Sequence, residues 1–378
     1  MNKVTQYTLS HVVKSFEDIA GQKHITNELR ERSIQDKYPT AMLFQGPTGV
    51  GKTTTALVTA ASMQCMNKTP QGDPCGECSS CKDIFNKEWI KGSTIMLDGG
   101  TASSKDDVIE MINRCAHSRP TIGKKHVIII EEIDQLSTGA KNALHKILEK
   151  PSPYIHFILL SMTELNGNKV PASIKDRCQP YNFKPVSETA TAFAMKQMLE
   201  KEGIWCDLPQ EFIKEGFFLI VNNSGGSLRR AYNNLERCIM AKFFTVDEIE
   251  ENLGFLSEDT VLRTFEALIK GKADDFIGDL ENMRNKRTLI EFFNLTNYFL
   301  LKYEENSLVT DPQDNSPSTH LLNKVHPLQI VELVDIYAEI QDYLTKGYYT
   351  SPTTLARIYL KGFKKIKHVK KPNVQLRR

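Results

Sequence analysis

FQGPTGVGKTT, residues 44–54, is a glycine-rich stretch that overlaps the apolar run AMLF and leads into the helix-forming run TTTALVTAASM. Gly46, Gly51, Lys52 and Thr53 meet the spacing G-x-x-x-x-G-K-[ST] of a phosphate-binding loop. In such a loop a strand turns sharply into a helix, and the free backbone N–H groups at the turn bind anions. The alternative is a chance glycine turn, which the strand-like run before the loop and the helix-like run after it disfavour.

The loop predicts a nucleoside triphosphate site with ATP and Mg²⁺ as ligands. Lys52 is expected to reach the β- and γ-phosphates, Thr53 to bind Mg²⁺, and Thr54 to lie beside the α-phosphate. The backbone of the remaining loop residues is expected to surround the phosphates. The predicted binding residues of the loop are Gly46, Thr48, Gly49, Val50, Gly51, Lys52, Thr53 and Thr54.

Composition and length indicate an ordinary soluble protein. The 378 residues, 40% hydrophobic and 25% charged, suggest two or three domains. No apolar run of about 18 residues is present, and the N-terminus MNKVTQYTLS has no apolar signal core. We therefore predict a cytoplasmic protein without a membrane partner. The formal net charge of +2 is too small to indicate a nucleic-acid partner by itself.

Four of the eight cysteines form a cluster with metal-ligand spacing. Cys75, Cys78 and Cys81 lie in PCGECSSC, and Cys65 lies at the end of the helix predicted after the phosphate loop. Four thiolates at this spacing favour a closed, tetrahedral and structural Zn²⁺ site. A redox dithiol or an iron–sulfur cluster stays open as an alternative, because four thiolates alone do not exclude iron.

After the cysteine cluster, strand-like and helix-like segments alternate. Strands are predicted over 93–99, 124–134 and 154–162, and amphipathic helices over 106–118 and 137–151. Alternation of this kind predicts a parallel sheet whose ligands lie at the carboxyl edge of its strands.

Two acidic residues, Glu131 and Glu132, follow the apolar run HVIII at the end of one predicted strand. At that edge the first acid is expected to hold Mg²⁺ and the second to polarise the attacking water. Two solvated acids at a strand end are the alternative. The phosphate loop earlier in the chain favours the catalytic interpretation.

Several segments occur in an order that resembles the AAA+ clamp-loader ATPases, in particular the bacterial DNA polymerase III gamma/tau subunits. They are GPTGVGKTT, the cysteine cluster, EEIDQLS, KNALHKILEKP, FILLSMT, VPASIKDRCQ and GGSLRRA. FEDIAGQKHI, residues 16–25, resembles the family segment that lies beside the adenine. The resemblance extends over roughly residues 10–300.

The resemblance implies roles for residues outside the phosphate loop. Arg177 in DRC corresponds to the arginine that reaches the γ-phosphate held by a neighbouring subunit. Arg229 in GSLRRA corresponds to the sensor 2 arginine, which contacts the chain's own nucleotide from the lid. Either Ser161 or Thr163 corresponds to the sensor 1 residue that positions the water.

Two residues depart from the family pattern. Glu131 stands where aspartate is usual, and its extra methylene is expected to slow turnover. Asp176 stands where serine is usual and is expected to pair with Arg177. Glu131 therefore keeps open a second interpretation, a non-hydrolysing scaffold subunit of the same complex.

The expected fold class is α/β, with an AAA+ P-loop parallel sheet core, a four-cysteine zinc module, a small helical lid domain and a C-terminal all-α collar domain. The expected domains are the core at 1–182 with the module at 65–81, the lid at 183–244 and the collar at 245–378.

The resemblance also implies partners. These are other clamp-loader subunits in a pentamer, a sliding clamp and primer-template DNA. Another AAA+ machine, such as a branch-migration helicase, is the third interpretation. Predicted helix starts that offer free N–H groups and a cation to DNA phosphates lie near Ser103, Ser104 and Lys105, and near Ser137, Thr138 and Lys141.

Overall fold

The computed structural model describes five stretches of the chain and a few single positions elsewhere; the stretches are 13–86, 93–100, 125–162, 170–255 and 258–269. Contacts between Cα atoms divide the chain into two compact units, Met1–Ala241 and Lys242–Arg378. The candidate site lies in the first unit.

A parallel sheet of five strands forms the centre of the first unit. The strands are β1 Ala41–Gln45, β2 Thr94–Asp98, β3 His126–Glu131, β4 Ile155–Ser161 and β5 Gln179–Asn182. Their order across the sheet is β2-β3-β4-β1-β5, and all four pairings are parallel. Strands β1 and β4 are buried along their whole length, as expected for a parallel sheet covered on both faces.

Helices cover the sheet and continue into residues 183–244, the region predicted to form the lid. They are α1 Lys23–Gln35, α2 Lys52–Gln64, α3 Ser79–Phe85, α4 Thr138–Glu149, α5 Ala172–Lys175, α6 Glu188–Lys201, α7 Phe217–Asn222 and α8 Leu228–Ala241. Serine hydroxyls cap two of them: Ser137 accepts a hydrogen bond from Ala140 N–H, and Ser187 accepts one from Ala190 N–H. Capping of this kind satisfies N–H groups that the first turn leaves without a helical partner.

Successive residues of β1 point to opposite faces of the sheet and join two hydrophobic cores. Met42 and Phe44 belong to one core, whereas Ala41 and Leu43 belong to the other. Because β1 is held from both sides, the loop that follows it starts from a fixed position. The parallel arrangement places the ends of β1, β3 and β4 at one edge of the sheet.

The predicted parallel sheet with helices is confirmed. The strands predicted over 93–99, 124–134 and 154–162 are present, although each is shorter than predicted. Strand β3 ends at Glu131 because Glu132 has a left-handed backbone with φ of 48°. The helix predicted over 106–118 lies almost wholly outside the described residues.

The second unit is described at its start and at a few single positions further on. Its helices there are α9 Val246–Leu253, which begins with a capping box of Thr245 and Glu248, and α10 Glu258–Ile269. The predicted all-helical collar otherwise lies outside the described residues, and the three domain boundaries stay predictions. Within the described part of the chain, no helix has the length and apolar character needed to cross a membrane.

Candidate nucleotide-binding site

The glycine-rich loop connects the end of β1 to the start of α2, as predicted. Gly49 has a φ of 82°, and a Cβ atom there would lie 2.1 Å from Ser227 Oγ, next to helix α8 of the lid region. Only glycine fits this backbone and this close approach. The loop is therefore in direct contact with the region that carries Arg229.

Lys52 is the first residue of α2 and is only 8% exposed. Its Nζ atom donates hydrogen bonds to the Gly46 carbonyl at 2.7 Å and to the Pro47 carbonyl at 2.6 Å. Burial, followed by the charge of Arg229, lowers the pKa of Lys52 to about 8. Because both carbonyl partners are neutral, the ammonium charge remains available for an anionic ligand.

Thr53 and Glu131 meet at the same edge of the sheet. The Thr53 hydroxyl donates a short hydrogen bond to Glu131 Oε1, so the glutamate side chain spans the distance from β3 to α2. A hydroxyl oxygen and a carboxylate are the hard oxygen donors that Mg²⁺ prefers. These two residues therefore fit a magnesium site. Glu132, the next residue, lines the same cavity.

The loop and the acids line a cavity of about 390 Å³. Its other side is mainly apolar and is formed by the segment before α1 and by helices α6 and α8. The lining residues on that side are Val13, Ile19, Ala20, Ala194, Leu228 and Tyr232, with Asp18 and Gln197 as polar members. A polar half and an apolar half suit a ligand that has a phosphate chain and a flat base.

Arg229 lines this cavity from the first turn of α8 and is exposed. A cation in the first turn opposes the helix dipole, which favours acidic residues there. An anion in the cavity would compensate this unfavourable placement. The position of Arg229 therefore fits the phosphate-contacting role that the resemblance implies.

Of the two candidates for sensor 1, the structure describes only Ser161. Ser161 is fully buried at the end of β4 and lines the cavity. The next residue, Met162, donates its N–H to Asp134 and accepts a hydrogen bond from Thr48, a loop residue. Thr163 lies outside the described residues.

Arg177 lies at the opposite edge of the sheet from the phosphate loop. It precedes β5 and lines a separate cavity with Thr40, just before β1, so the five residues of β1 separate it from the loop by roughly 16 Å. Its guanidinium donates hydrogen bonds to Glu149 Oε1 and to the Ser173 carbonyl, both at 2.7 Å. The expected pairing with Asp176 is wrong, because Glu149 takes that place.

The four clustered cysteines, residues 65–81, form a unit that we call the cysteine knuckle. Their Sγ atoms all lie within 4.8 Å of one another. Tetrahedral zinc with bonds of about 2.3 Å requires sulfur separations of roughly 3.8 Å, close to the 4.0 Å between Cys75 and Cys81. The Cys75 N–H donates to Cys65 Sγ, and the Cys78 N–H donates to Cys75 Sγ. Although burial raises it, the N–H groups of Cys78 and Glu77 lower the pKa of Cys75 to about 7, whereas burial raises the pKa of Cys65 and of Cys81.

The cavity residues that sequence reasoning missed include Asp98 and Tyr232. Asp98 ends β2 and is paired in register with Glu131. Its position at the end of a predicted strand, like that of Glu131, was the available signal. Tyr232 lies one helical turn after Leu228, so the prediction of a lid helix was the only signal for it.

The sequence comparisons with known proteins match subunits of DNA polymerase III. A family profile described as "DNA polymerase III, delta subunit" matches residues 21–187. DNA polymerase III subunit tau of Bacillus subtilis is 34% identical over 225 residues, which are 59% of this chain and 38% of that protein. DNA polymerase III subunit gamma of Buchnera aphidicola subsp. Acyrthosiphon pisum is 30% identical over 257 residues, 68% of each chain.

The chain covers only part of the longer relatives, and its likeness to solved structures is weak. The chain spans 38% of the Bacillus subtilis relative and 38% of the tau/gamma subunit of Haemophilus influenzae, to which it is 27% identical over 71% of its length. The Thermotoga maritima RuvB Holliday junction branch migration motor aligns with a TM-score of 0.45 and 15% identity, covering 68% of this chain and 80% of that one. A likeness this weak supports no argument. On the sequence relationship to the gamma and tau subunits, the chain belongs to the DNA polymerase III gamma/tau family of clamp-loader subunits.

Proposed function

We propose that this protein is an ATPase subunit of a DNA polymerase sliding-clamp loader. In this proposal, ATP binding assembles a spiral of subunits that opens the clamp and binds primer-template DNA, and hydrolysis releases the clamp onto DNA. The observation that carries the proposal is the single cavity onto which Lys52, the Thr53–Glu131 pair and Arg229 converge. Family membership supplies the clamp-loading context.

The cavity supports a division of roles among its residues. Lys52 exchanges its bonds to loop carbonyls for the β- and γ-phosphates, and Arg229 binds the phosphates from the lid. Thr53 and Glu131 hold Mg²⁺, which supplies charge neutralisation on the phosphate chain when bound. Glu132 takes a proton from the attacking water, and Ser161 orients that water. The base packs in the apolar half of the cavity.

Arg177 is assigned to the neighbouring subunit's nucleotide. It lies at the edge of the sheet away from its own cavity, and its side chain is about one third exposed, at 32%. An arginine in this position is unable to reach its own phosphate loop, and to meet that of another chain its guanidinium exchanges its bonds to Glu149 and the Ser173 carbonyl. This assignment requires nucleotide sites shared between neighbouring subunits, and membership of the gamma/tau family suggests that these subunits form a pentamer.

The second candidate is a non-hydrolysing scaffold subunit of the same complex, and Glu131 in place of aspartate favours it. The hydrogen bond from Thr53 to Glu131 counts against it, because the longer side chain still reaches the residue with which it would share Mg²⁺. Lys52 and Glu132 also line the cavity, and their presence likewise counts against a non-hydrolysing scaffold.

The cysteine knuckle is proposed to hold one structural Zn²⁺. Cys65, Cys75, Cys78 and Cys81 supply four sulfur donors, which leave no open coordination position. The site therefore contributes to folding and not to the chemical step.

The proposed function is tested by measuring ATP hydrolysis by the chain together with its partner subunits. The rate is expected to rise when primed DNA and the sliding clamp are added together. Hydrolysis that both additions leave unchanged would contradict clamp loading, and ATP binding without any hydrolysis would favour the scaffold.

A further inference from the structure

The apolar side of the cavity begins with residues 13–20, which we call the wall segment. Val13, Asp18, Ile19 and Ala20 line the cavity, whereas Phe16 does not line it and is 1% exposed. Phe16 packs in the same hydrophobic core as Cys65 and the rest of the cysteine knuckle. The wall segment therefore lines the cavity with some of its residues and, through Phe16, shares a hydrophobic core with the knuckle.

Asp73, just before Cys75, holds the wall segment from the knuckle side. Its Oδ1 atom accepts the Phe16 N–H at 2.7 Å, and its Oδ2 atom accepts a hydrogen bond from Arg30 Nη2 at 3.3 Å. The residue is 8% exposed. A buried carboxylate is costly unless it is paired, so both contacts constrain where Asp73 and Phe16 lie.

The backbone around Asp73 is itself fixed. Thr69 bonds to both the N–H and the carbonyl of Asp73, at 3.0 and 2.9 Å. The carbonyl of Gly72 accepts the Ser33 hydroxyl at 2.6 Å, and a Cβ atom on Gly72 would lie 2.9 Å from the Arg30 carbonyl. The carboxylate therefore projects from a rigid connection between the knuckle and α1.

The constraint continues from Phe16 to the cavity through a tight turn. The Ile19 N–H donates to the Phe16 carbonyl at 3.4 Å. Ser15 Oγ donates to Asp18 Oδ2 at 2.8 Å and accepts the Asp18 N–H at 3.2 Å. Within this turn, Phe16 and Ile19 have little freedom to move independently, although one faces the knuckle and the other faces the cavity.

We propose that Asp73 is a positioning residue for nucleotide recognition: by holding the Phe16 N–H, it fixes the wall segment against which the base packs. This inference rests on the proposed nucleotide binding and adds a role for the cysteine knuckle, which braces the base side of the cavity. The phosphate side depends on Lys52 and the loop, which Asp73 does not contact in the described structure.

The test compares the binding of Mg·ATP with that of inorganic tripolyphosphate, which has the phosphate chain but no base. Isothermal titration is carried out on the full chain and on Asp73→Ala. We expect the dissociation constant for ATP to rise by about ten-fold, and that for tripolyphosphate to change by less than about two-fold. Asp73→Asn keeps an oxygen that accepts the Phe16 N–H and is expected to restore most of the ATP affinity.

Glu77→Ala is the matched control, because Glu77 is an exposed carboxylate of the same knuckle, and it is expected to change neither constant. Unchanged ATP binding in Asp73→Ala would overturn the inference. An equal loss for ATP and tripolyphosphate would also overturn it, because a general loss of structure affects both ligands. If the unsubstituted chain bound no ATP, the proposed function itself would be contradicted. If the unsubstituted chain bound ATP and Asp73→Ala bound it equally well, only the role of Asp73 would be contradicted.

Discussion

The two ends of helix α2 carry different candidate binding sites, although they belong to one continuous element. At its start, Lys52 and the glycine loop face a cavity of about 390 Å³ that is open to an exchangeable ligand. At its end, Cys65 is 3% exposed and its sulfur lies within 4.8 Å of three others. The first end is built for a ligand that enters and leaves, and the second for one that stays.

The helix dipole accounts for the anion at the first end, and the four thiolates account for the cation at the second. The N-terminal end of a helix carries partial positive charge and free N–H groups, which suit a phosphate chain. At the C-terminal end, the four thiolates bind the cation without help from the dipole, because Zn²⁺ bound by four thiolates is an anionic centre. One helix thus offers an anion site and a cation site, and experiments that disable each end separately test the comparison.

The largest effect is expected from Glu132→Gln at the nucleotide end. Glutamine is unable to accept a proton from water, so hydrolysis should fall by about 10² to 10⁴-fold while ATP binding stays the same. Turnover measured beside equilibrium binding checks this. A similar loss in both measurements would show that Glu132 supports the fold of the cavity and not the chemistry.

At the cysteine end of α2, removing the metal should destabilise the fold. Cys78→Ser is expected to lose the zinc, otherwise about one per chain, and to lower Tm by on the order of 10 °C, while tripolyphosphate still binds. Cys206→Ser, at an exposed cysteine outside the cluster, is the control and should change nothing. Iron in the purified protein, or a metal content that Cys78→Ser leaves unchanged, would contradict the zinc assignment.

A smaller effect is expected from pH. Burial and Arg229 lower the pKa of Lys52 to about 8, and bound phosphate stabilises the charged form. Above that pKa the free protein must take up a proton to bind ATP, so affinity should fall by about ten-fold between pH 7 and pH 9. Lys52→Arg stays charged and should show a flat profile. The same fall of ATP affinity with pH in both proteins would show that a group other than Lys52 titrates.

Features that depend on a fixed residue spacing could be predicted from the sequence. The glycine loop, the acids that end β3 and the four cysteines are local patterns whose chemistry demands particular residues at particular intervals. The parallel sheet followed from the alternation of strands and helices. These predictions did not depend on knowing which strands are neighbours.

Contacts between distant residues were not predicted, because they depend on strand order and on turns without a periodic signal. Glu149 and Arg177 are 28 residues apart, and Asp73 and Phe16 are 57 apart. Asp98 meets Glu131 only because β2 lies beside β3. The predicted length of β3 was wrong because the left-handed backbone of Glu132 has no signature in an apolar run.

The central claim is that the start of α2 grips the phosphates of a nucleotide, and equilibrium titration of Mg·ATP into the full chain and Lys52→Ala tests it most directly. Removing the buried ammonium should weaken binding by at least about 100-fold, a loss of roughly 2.7 kcal/mol. Lys37→Ala, which removes an exposed lysine, should bind as the unsubstituted protein does. ATP binding that survives Lys52→Ala undiminished, or that is absent from the unsubstituted protein, would contradict the account.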